Sequence, residues 1–140
     1  MTAQALAGFA RSIDLKIKAL EVSFAPALTG AVPIGFFNAK ITQVTPIIAD
    51  CMGAKNIASN PNPGALVKRS QFQYVQDKLE GFQQDDFPYM EQQLVTFITS
   101  PEAATKATAL ANIGLRIPAM LKDYIQMKYE MKQVKDALKV

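Results

Sequence analysis

Residues 117–140 read IPAMLKDYIQMKYEMKQVKDALKV, and large apolar side chains recur along them at steps of three and four. The stripe consists of Ile117, Met120, Tyr124, Met127, Met131, Val134 and Leu138. Such spacing is typical of a helix with one apolar face, and it also matches the a and d positions of a coiled coil. We therefore predict a C-terminal amphipathic helix.

The charged residues beside this stripe favour pairing with a second helix. With Ile117 at position a, acids at g precede lysines at the next e, which places Glu130 opposite Lys135 in a parallel neighbour. Beyond Glu130 only the narrow a/d line remains apolar, so residues 130–140 are predicted to extend as a coiled-coil-like arm. The predicted partner interface consists of Met127, Lys128, Glu130, Met131, Val134, Lys135 and Leu138.

A second interpretation of the same stripe stays open. Three heptads are marginal for an isolated coiled coil in water, and Met or Tyr occupies most of the a and d positions. The N-terminal segment carries its own apolar stripe at steps of three and four, formed by Leu6, Phe9, Ile13, Ile17, Leu20 and Phe24. The C-terminal helix would then fold back on this first helix instead of meeting another chain.

The rest of the chain predicts further helices joined by short connections. Ala103, Ala107 and Ala111 recur every four residues and predict a helix face that packs closely within the fold. The predicted boundaries are a kink at Pro46, a break near Gly81, a restart at residues 85–88, a start at Ser100-Pro101-Glu102 and another at Pro118. The prediction is an all-α, bundle-like fold of five or six helices.

Two segments are predicted to interrupt the series of helices. Residues 22–39, VSFAPALTGAVPIGFFNA, are the longest uncharged run, and their Pro and Gly predict an irregular apolar connection rather than a membrane-spanning helix. This run is either buried in the fold, covered by a partner or associated with a membrane. The polar loop SNPNPG at residues 59–64 marks a potential division of the single domain 1–140 into 1–58 and 65–140.

Composition argues against several kinds of activity. The chain has 140 residues, enough for one domain with its own core. Its net charge of +3 comes from scattered basic residues, so no sequence-specific nucleic-acid binding is expected. Histidine is absent, which removes Ser-His and Cys-His nucleophiles and a common zinc ligand. The single cysteine, Cys51, is expected to be a buried, inert thiol.

Other catalytic signatures are missing from the sequence as well. It contains no phosphate-binding glycine loop, no paired cysteines and no EF-hand spacing of acidic residues. The adjacent Asp85 and Asp86 are interpreted as a helix N-terminus in water rather than an acid–base pair. We therefore predict no catalytic residue, no metal, no cofactor and no enzymatic activity.

These observations favour a non-enzymatic structural or assembly subunit that self-associates or fits between other subunits of a larger complex, such as a virion or a secretion-type machine. Two alternatives are a monomeric helical binding or adaptor module and a peripheral membrane-active protein that uses residues 22–39. The N-terminus lacks the basic and continuous apolar regions of a secretory signal. A cytoplasmic location, or incorporation into an assembly, is therefore expected.

Overall fold

Helices account for nearly all of the regular structure in the computed structural model, which describes residues 2–58 and 67–138. The α-helices are α1 (Thr2–Val22), α2 (Phe36–Ala58), α3 (Arg69–Gly81), α4 (Phe87–Thr99) and α5 (Ala103–Leu138). A short 3-10 turn, Ala25–Thr29, follows α1, and a π-helical turn, Phe82–Asp86, joins α3 to α4 without a break. The prediction of an all-α, bundle-like fold is confirmed.

Neighbouring helices pack in antiparallel pairs. Helix α1 contacts both α2 and α5, and the continuous α3–α4 rod contacts both α2 and α5. Between α1 and α5, Glu21 pairs with Lys128 and Asp14 pairs with Lys135, so residue numbers rise along one helix as they fall along the other. The described residues therefore form an up-and-down bundle of four rods, in which the last rod returns to the first.

Because α3 and α4 are continuous through the π-helical turn, the described residues form four helical rods, fewer than predicted, and the prolines do not break these rods. Pro88 has no N–H to donate to the carbonyl four residues back, and the helix absorbs this by a π-helical turn in which Phe87 N–H bonds to Phe82 O. Pro118 lies on the exposed face of α5, where water can reach the carbonyl of Gly114 that it leaves free. The predicted count of five or six helices is thus not confirmed.

Helix α2 also runs through a proline, Pro46. Pro46 has no N–H to donate to Thr42 O, four residues back, and its ring crowds the preceding turn of the helix. The side-chain amide of Gln83, on the π-helical turn, donates to Ile41 O at 3.1 Å and to Thr45 Oγ1 at 3.0 Å. The π-helical turn therefore supplies a hydrogen-bond donor to the turn of α2 that precedes Pro46.

The C-terminal stripe lies inside the protein's own core. Met127, Met131 and Val134 have no exposed surface, and Leu138 is partly buried against the same core cluster. The apolar stripe of α1 provides the opposing face, and the acids of α1 lie beside Lys128 and Lys135. The projecting arm predicted for residues 130–140 is not confirmed, because residues 130–138 fold back on α1.

The predicted loop at residues 59–64 lies outside the described residues. The helices before and after it contribute to one hydrophobic core, which includes Ile13 of α1, Ile47 of α2, Leu79 of α3, and Ile113 of α5. Aromatic rings fill its centre, with Phe82 and Tyr124 centroids 5.2 Å apart. Residues on both sides of the loop therefore share the same buried contacts.

A buried carboxylate from another helix caps the N-terminus of α2. Glu91 of α4 is only 7% exposed, and it accepts hydrogen bonds from the backbone N–H groups of Gly35 at 2.8 Å and Phe37 at 3.0 Å. These N–H groups belong to the first turn of α2 and the residue before it, where no intrahelical acceptor exists. A negative charge at this position is also favourable to the helix dipole. Glu91 therefore holds the end of the irregular 22–39 connection on α4.

We expect Glu91→Gln to lower the free energy of unfolding by about 1.5–3 kcal/mol, since the amide accepts fewer bonds and brings its own donors toward N–H groups. Chemical denaturation measures the change. Glu102→Gln is the matched control, because Glu102 is exposed and should change the stability by no more than about 0.5 kcal/mol. Equal stability of the wild type and Glu91→Gln would contradict the proposed cap.

At Tyr124 the expected change in the free energy of unfolding has the opposite sign. The Tyr124 ring is fully buried against Phe24 and Phe82, while its hydroxyl has no hydrogen-bond partner among the described residues. Because a buried unpaired hydroxyl is destabilising, Tyr124→Phe should raise the free energy of unfolding by about 1 kcal/mol. Thermal and chemical unfolding test this, with the exposed Tyr129→Phe as the unchanged control. A destabilised Tyr124→Phe protein would show that the hydroxyl is satisfied.

Candidate partner surface

Large apolar side chains are exposed along the outer side of the α1–α5 pair. Four of them are between 53% and 72% exposed, and we call them together the α1–α5 face: Leu15, Val22, Ile125 and Tyr129. Single exposed apolar residues are ordinary on protein surfaces, whereas a group on two adjacent helices is informative. This face is the strongest candidate for a binding surface.

The spacing of these residues explains why they share one side. Leu15 and Val22 are separated by seven residues, which is close to two helical turns. Ile125 lies one turn before Tyr129 on α5. Helix α5 therefore carries two apolar lines, one directed into the core and one directed outward.

A shallow groove of about 480 Å³ runs between α1 and α5 within this face. Its lining combines two of the exposed apolar side chains with charged residues from both helices: Asp14, Lys18, Ile125, Lys128, Tyr129, Lys132, Lys135 and Asp136. Apolar contact in the middle with charge around it is the usual arrangement of a protein–protein contact.

The charges along the groove are paired within the chain. Asp14 accepts bonds from Lys18 at 2.7 Å and Lys135 at 2.8 Å, and Lys132 lies 2.7 Å from Asp136. Burial would raise the pKa of Asp14, but the bonds to Lys135 and Lys18 hold that pKa below its ordinary value. A partner therefore meets a groove in which every charged side chain already has an ion-pair partner, with four lysines against three carboxylates.

The structure separates the residues that the sequence placed in one interface. Met127, Met131 and Val134 are in the core and cannot contact a partner without unfolding, and Leu138 is partly buried. Lys128 and Lys135 line the groove, and Glu130 accepts a bond from Gln126 at 3.1 Å on the surface of α5. Lys128, Glu130, Lys135 and Leu138 are therefore the members of the predicted interface with enough exposed surface to take part.

Sequence reasoning missed the apolar members of the α1–α5 face. Ile125, which is not part of the predicted stripe, is exposed, while Leu121, one turn before it, packs on the core. The small residues Ala103, Ala107 and Ala111 are likewise exposed and do not pack closely within the fold. Large apolar residues on the side opposite the buried stripe were the signal that could have identified this face.

The groups with nucleophilic or ligating chemistry form no second site in the described part of the chain. Cys51 is fully buried, and burial together with the nearby charge of Asp50 raises the pKa of its thiol to about 12. Within residues 2–58 and 67–138, no cluster of three or more acidic or cysteine residues is arranged to hold a metal ion. No helix in these ranges is both long and apolar enough to cross a bilayer.

No family model, curated protein or solved structure matches this chain.

Asp14→Asn should lower the free energy of unfolding at pH 7 by about 1.5–3 kcal/mol, since Lys18 and Lys135 lose their shared carboxylate. The folded-state pKa of Asp14 lies below its unfolded value near 3.8. The stabilisation is therefore complete above that pH and is lost as the pH falls through the folded-state pKa. Urea denaturation at pH 7 and at successively lower pH measures both effects.

The matched control is Asp136→Asn, because the pair between Lys132 and Asp136 is exposed on both sides. Such a surface pair contributes less than about 1 kcal/mol. If the stability difference between wild type and Asp14→Asn stayed constant down to about pH 2, the assigned pKa shift would be wrong.

Proposed function

We propose that this protein is a non-enzymatic assembly subunit that binds a protein partner through the α1–α5 face. The observation that carries the proposal is the group of four apolar side chains, each more than half exposed, on two adjacent antiparallel helices. Keeping this surface in water is unfavourable, and covering it releases that cost.

The chemistry of the face suits a protein contact. Tyr129 supplies a large, rigid side chain with a polar end, and aromatic residues of this kind often contribute most of the binding energy at interfaces. Val22 lies next to Glu21, which pairs with Lys128 at 2.7 Å, so charged residues border the apolar side chains. Because these charges are matched within the chain, binding leaves no charged group without a partner.

Self-association is the simplest case. Two copies of the α1–α5 face can meet across a twofold axis, so that each copy contributes the same residues. Each lysine of the groove is paired with a carboxylate of the same chain, which limits the electrostatic repulsion between identical surfaces. The same face can also bind a different subunit in a larger assembly, such as a virion or a secretion-type machine. A monomeric adaptor is the competing function.

Light scattering over a concentration series tests the proposal. We expect the wild type to exceed 15.3 kDa at high concentration, and Val22→Glu or Ile125→Glu to weaken association at least tenfold, or about 1.4 kcal/mol. These substitutions place a charge in the apolar part of the interface. They should leave thermal stability nearly unchanged, because both positions are exposed.

Met52→Glu is the matched control, since Met52 is a half-exposed apolar residue on α2, outside the α1–α5 face. It should associate like the wild type. A mass of 15.3 kDa at every concentration would overturn self-association and favour the monomeric adaptor. Equal weakening by Met52→Glu would show that association does not use this face.

A further inference from the structure

Two uncharged segments meet at one end of the bundle. Residues 22–39 and 92–101 contain no Asp, Glu, Lys or Arg. They lie against each other, because a Cβ atom on Gly30 would overlap the ring of Phe97. We call residues 25–35 and 92–99 together the apolar end; Ser100, whose Oγ accepts a bond from Glu102 N–H at 3.2 Å, lies just beyond it. Its exposed large side chains are Leu28, Ile34, Val95 and Ile98, all between 37% and 51% exposed.

Hydroxyl groups at the apolar end are satisfied by their own backbone. Thr29 donates to Pro26 O at 3.1 Å, Thr96 to Gln92 O at 3.2 Å, and Thr99 to Val95 O at 2.7 Å. Two of these three threonines are exposed, and the third is half-buried. Because these hydroxyl groups already donate to backbone carbonyls, replacing water by an apolar medium leaves their O–H donors with an acceptor.

Three of the charged side chains that border the apolar end also contact other groups of the protein. Glu91 accepts the N–H groups at the start of α2. Lys106 donates to Phe97 O at 2.5 Å and lies 3.5 Å from Ile98 O, so it satisfies carbonyls at the C-terminal end of α4. Lys40 is mostly buried, with its ammonium 4.6 Å from the centroid of the Phe36 ring. Glu102, at the start of α5, is the exposed charge nearest to this end.

These observations favour a lipid surface over a protein as the occupant. A stable protein interface buries roughly 800 Å² per partner and makes about one hydrogen bond per 100–200 Å². The apolar end offers four partly exposed large side chains, and its hydroxyl donors are already used. A lipid surface needs no hydrogen bonds from the protein and accepts apolar side chains at the boundary between head groups and acyl chains.

We infer that the apolar end docks on a lipid surface by inserting Leu28, Ile34 and Ile98 among the acyl chains. The exposed carboxylate of Glu102 limits the depth of insertion. Because the inserted segments carry no charge, binding does not depend on anionic head groups. This distinguishes the apolar end from a basic surface, which binds membranes by electrostatic attraction. The site is separate from the α1–α5 face.

Tryptophan fluorescence tests the inference directly, because the chain contains no Trp. Leu28→Trp is expected to shift its emission to the blue and to be quenched by brominated phosphatidylcholine when phosphatidylcholine vesicles are added. Met52→Trp, in the C-terminal half of α2, reports on a distant part of the surface and should do neither. Unchanged emission from Leu28→Trp in the presence of vesicles would overturn the inference.

Flotation with the same vesicles gives a second measurement. Leu28→Asp and Ile34→Asp should each reduce the bound fraction at least tenfold, whereas Met52→Asp and Ile125→Glu should bind like the wild type. Thermal unfolding confirms that each variant is folded. Binding should be equal on phosphatidylcholine and on vesicles that also contain phosphatidylserine, and it should withstand high salt.

Two results would count against the apolar end as a lipid contact. The first is an absence of flotation by the wild type. The second is binding that requires phosphatidylserine and is lost in salt, which would assign the contact to basic residues elsewhere. Loss of binding in Ile125→Glu, with Leu28→Asp unaffected, would place the contact on the α1–α5 face. Each outcome is independent of the oligomeric state.

Discussion

The carboxylate of Glu91, held by the backbone N–H groups of Gly35 and Phe37, is the interaction on which the arrangement of the bundle depends. It caps the N-terminus of α2. It also attaches to α4 the end of the connection that leads from α1 to α2. With α2 anchored there, Phe37 packs beside Phe87 with ring centroids 6.5 Å apart. A charge inside an apolar core is tolerated because these hydrogen bonds replace water.

This anchoring also determines what the bundle exposes. The connection cannot spread over the outside of α4, so Leu28 and Ile34 remain at one end, where few charges are present. Along the side, α1 and α5 pair through charged residues that neutralise one another, and Val22 and Ile125 stay in solvent. The protein thus has two apolar surfaces of different kinds. One is a broad side bordered by ion pairs, and the other is a small end whose hydroxyls are internally bonded.

Much of the architecture could be predicted from periodicity. The stripe that begins at Ile117 and the stripe that begins at Leu6 both face the core, as spacings of three and four require. Pro88 and Pro118 were interpreted as helix starts, but the helical rods continue through both. A proline removes only one backbone N–H donor from a helix. A π-helical turn or an exposed carbonyl can absorb that loss, and the choice depends on what surrounds the proline.

The sequence by itself determined the all-α class, the buried stripes that begin at Leu6 and at Ile117, and the lack of charge in residues 22–39, because these follow from local composition and spacing. Only the tertiary structure decided that Met131 and Val134 face α1 of the same chain and that Ile125 faces outward. The physical reason is that an apolar stripe specifies burial but not the identity of the surface that buries it. That surface is selected by packing and by charge pairs between residues such as Asp14 and Lys135, which are distant in sequence.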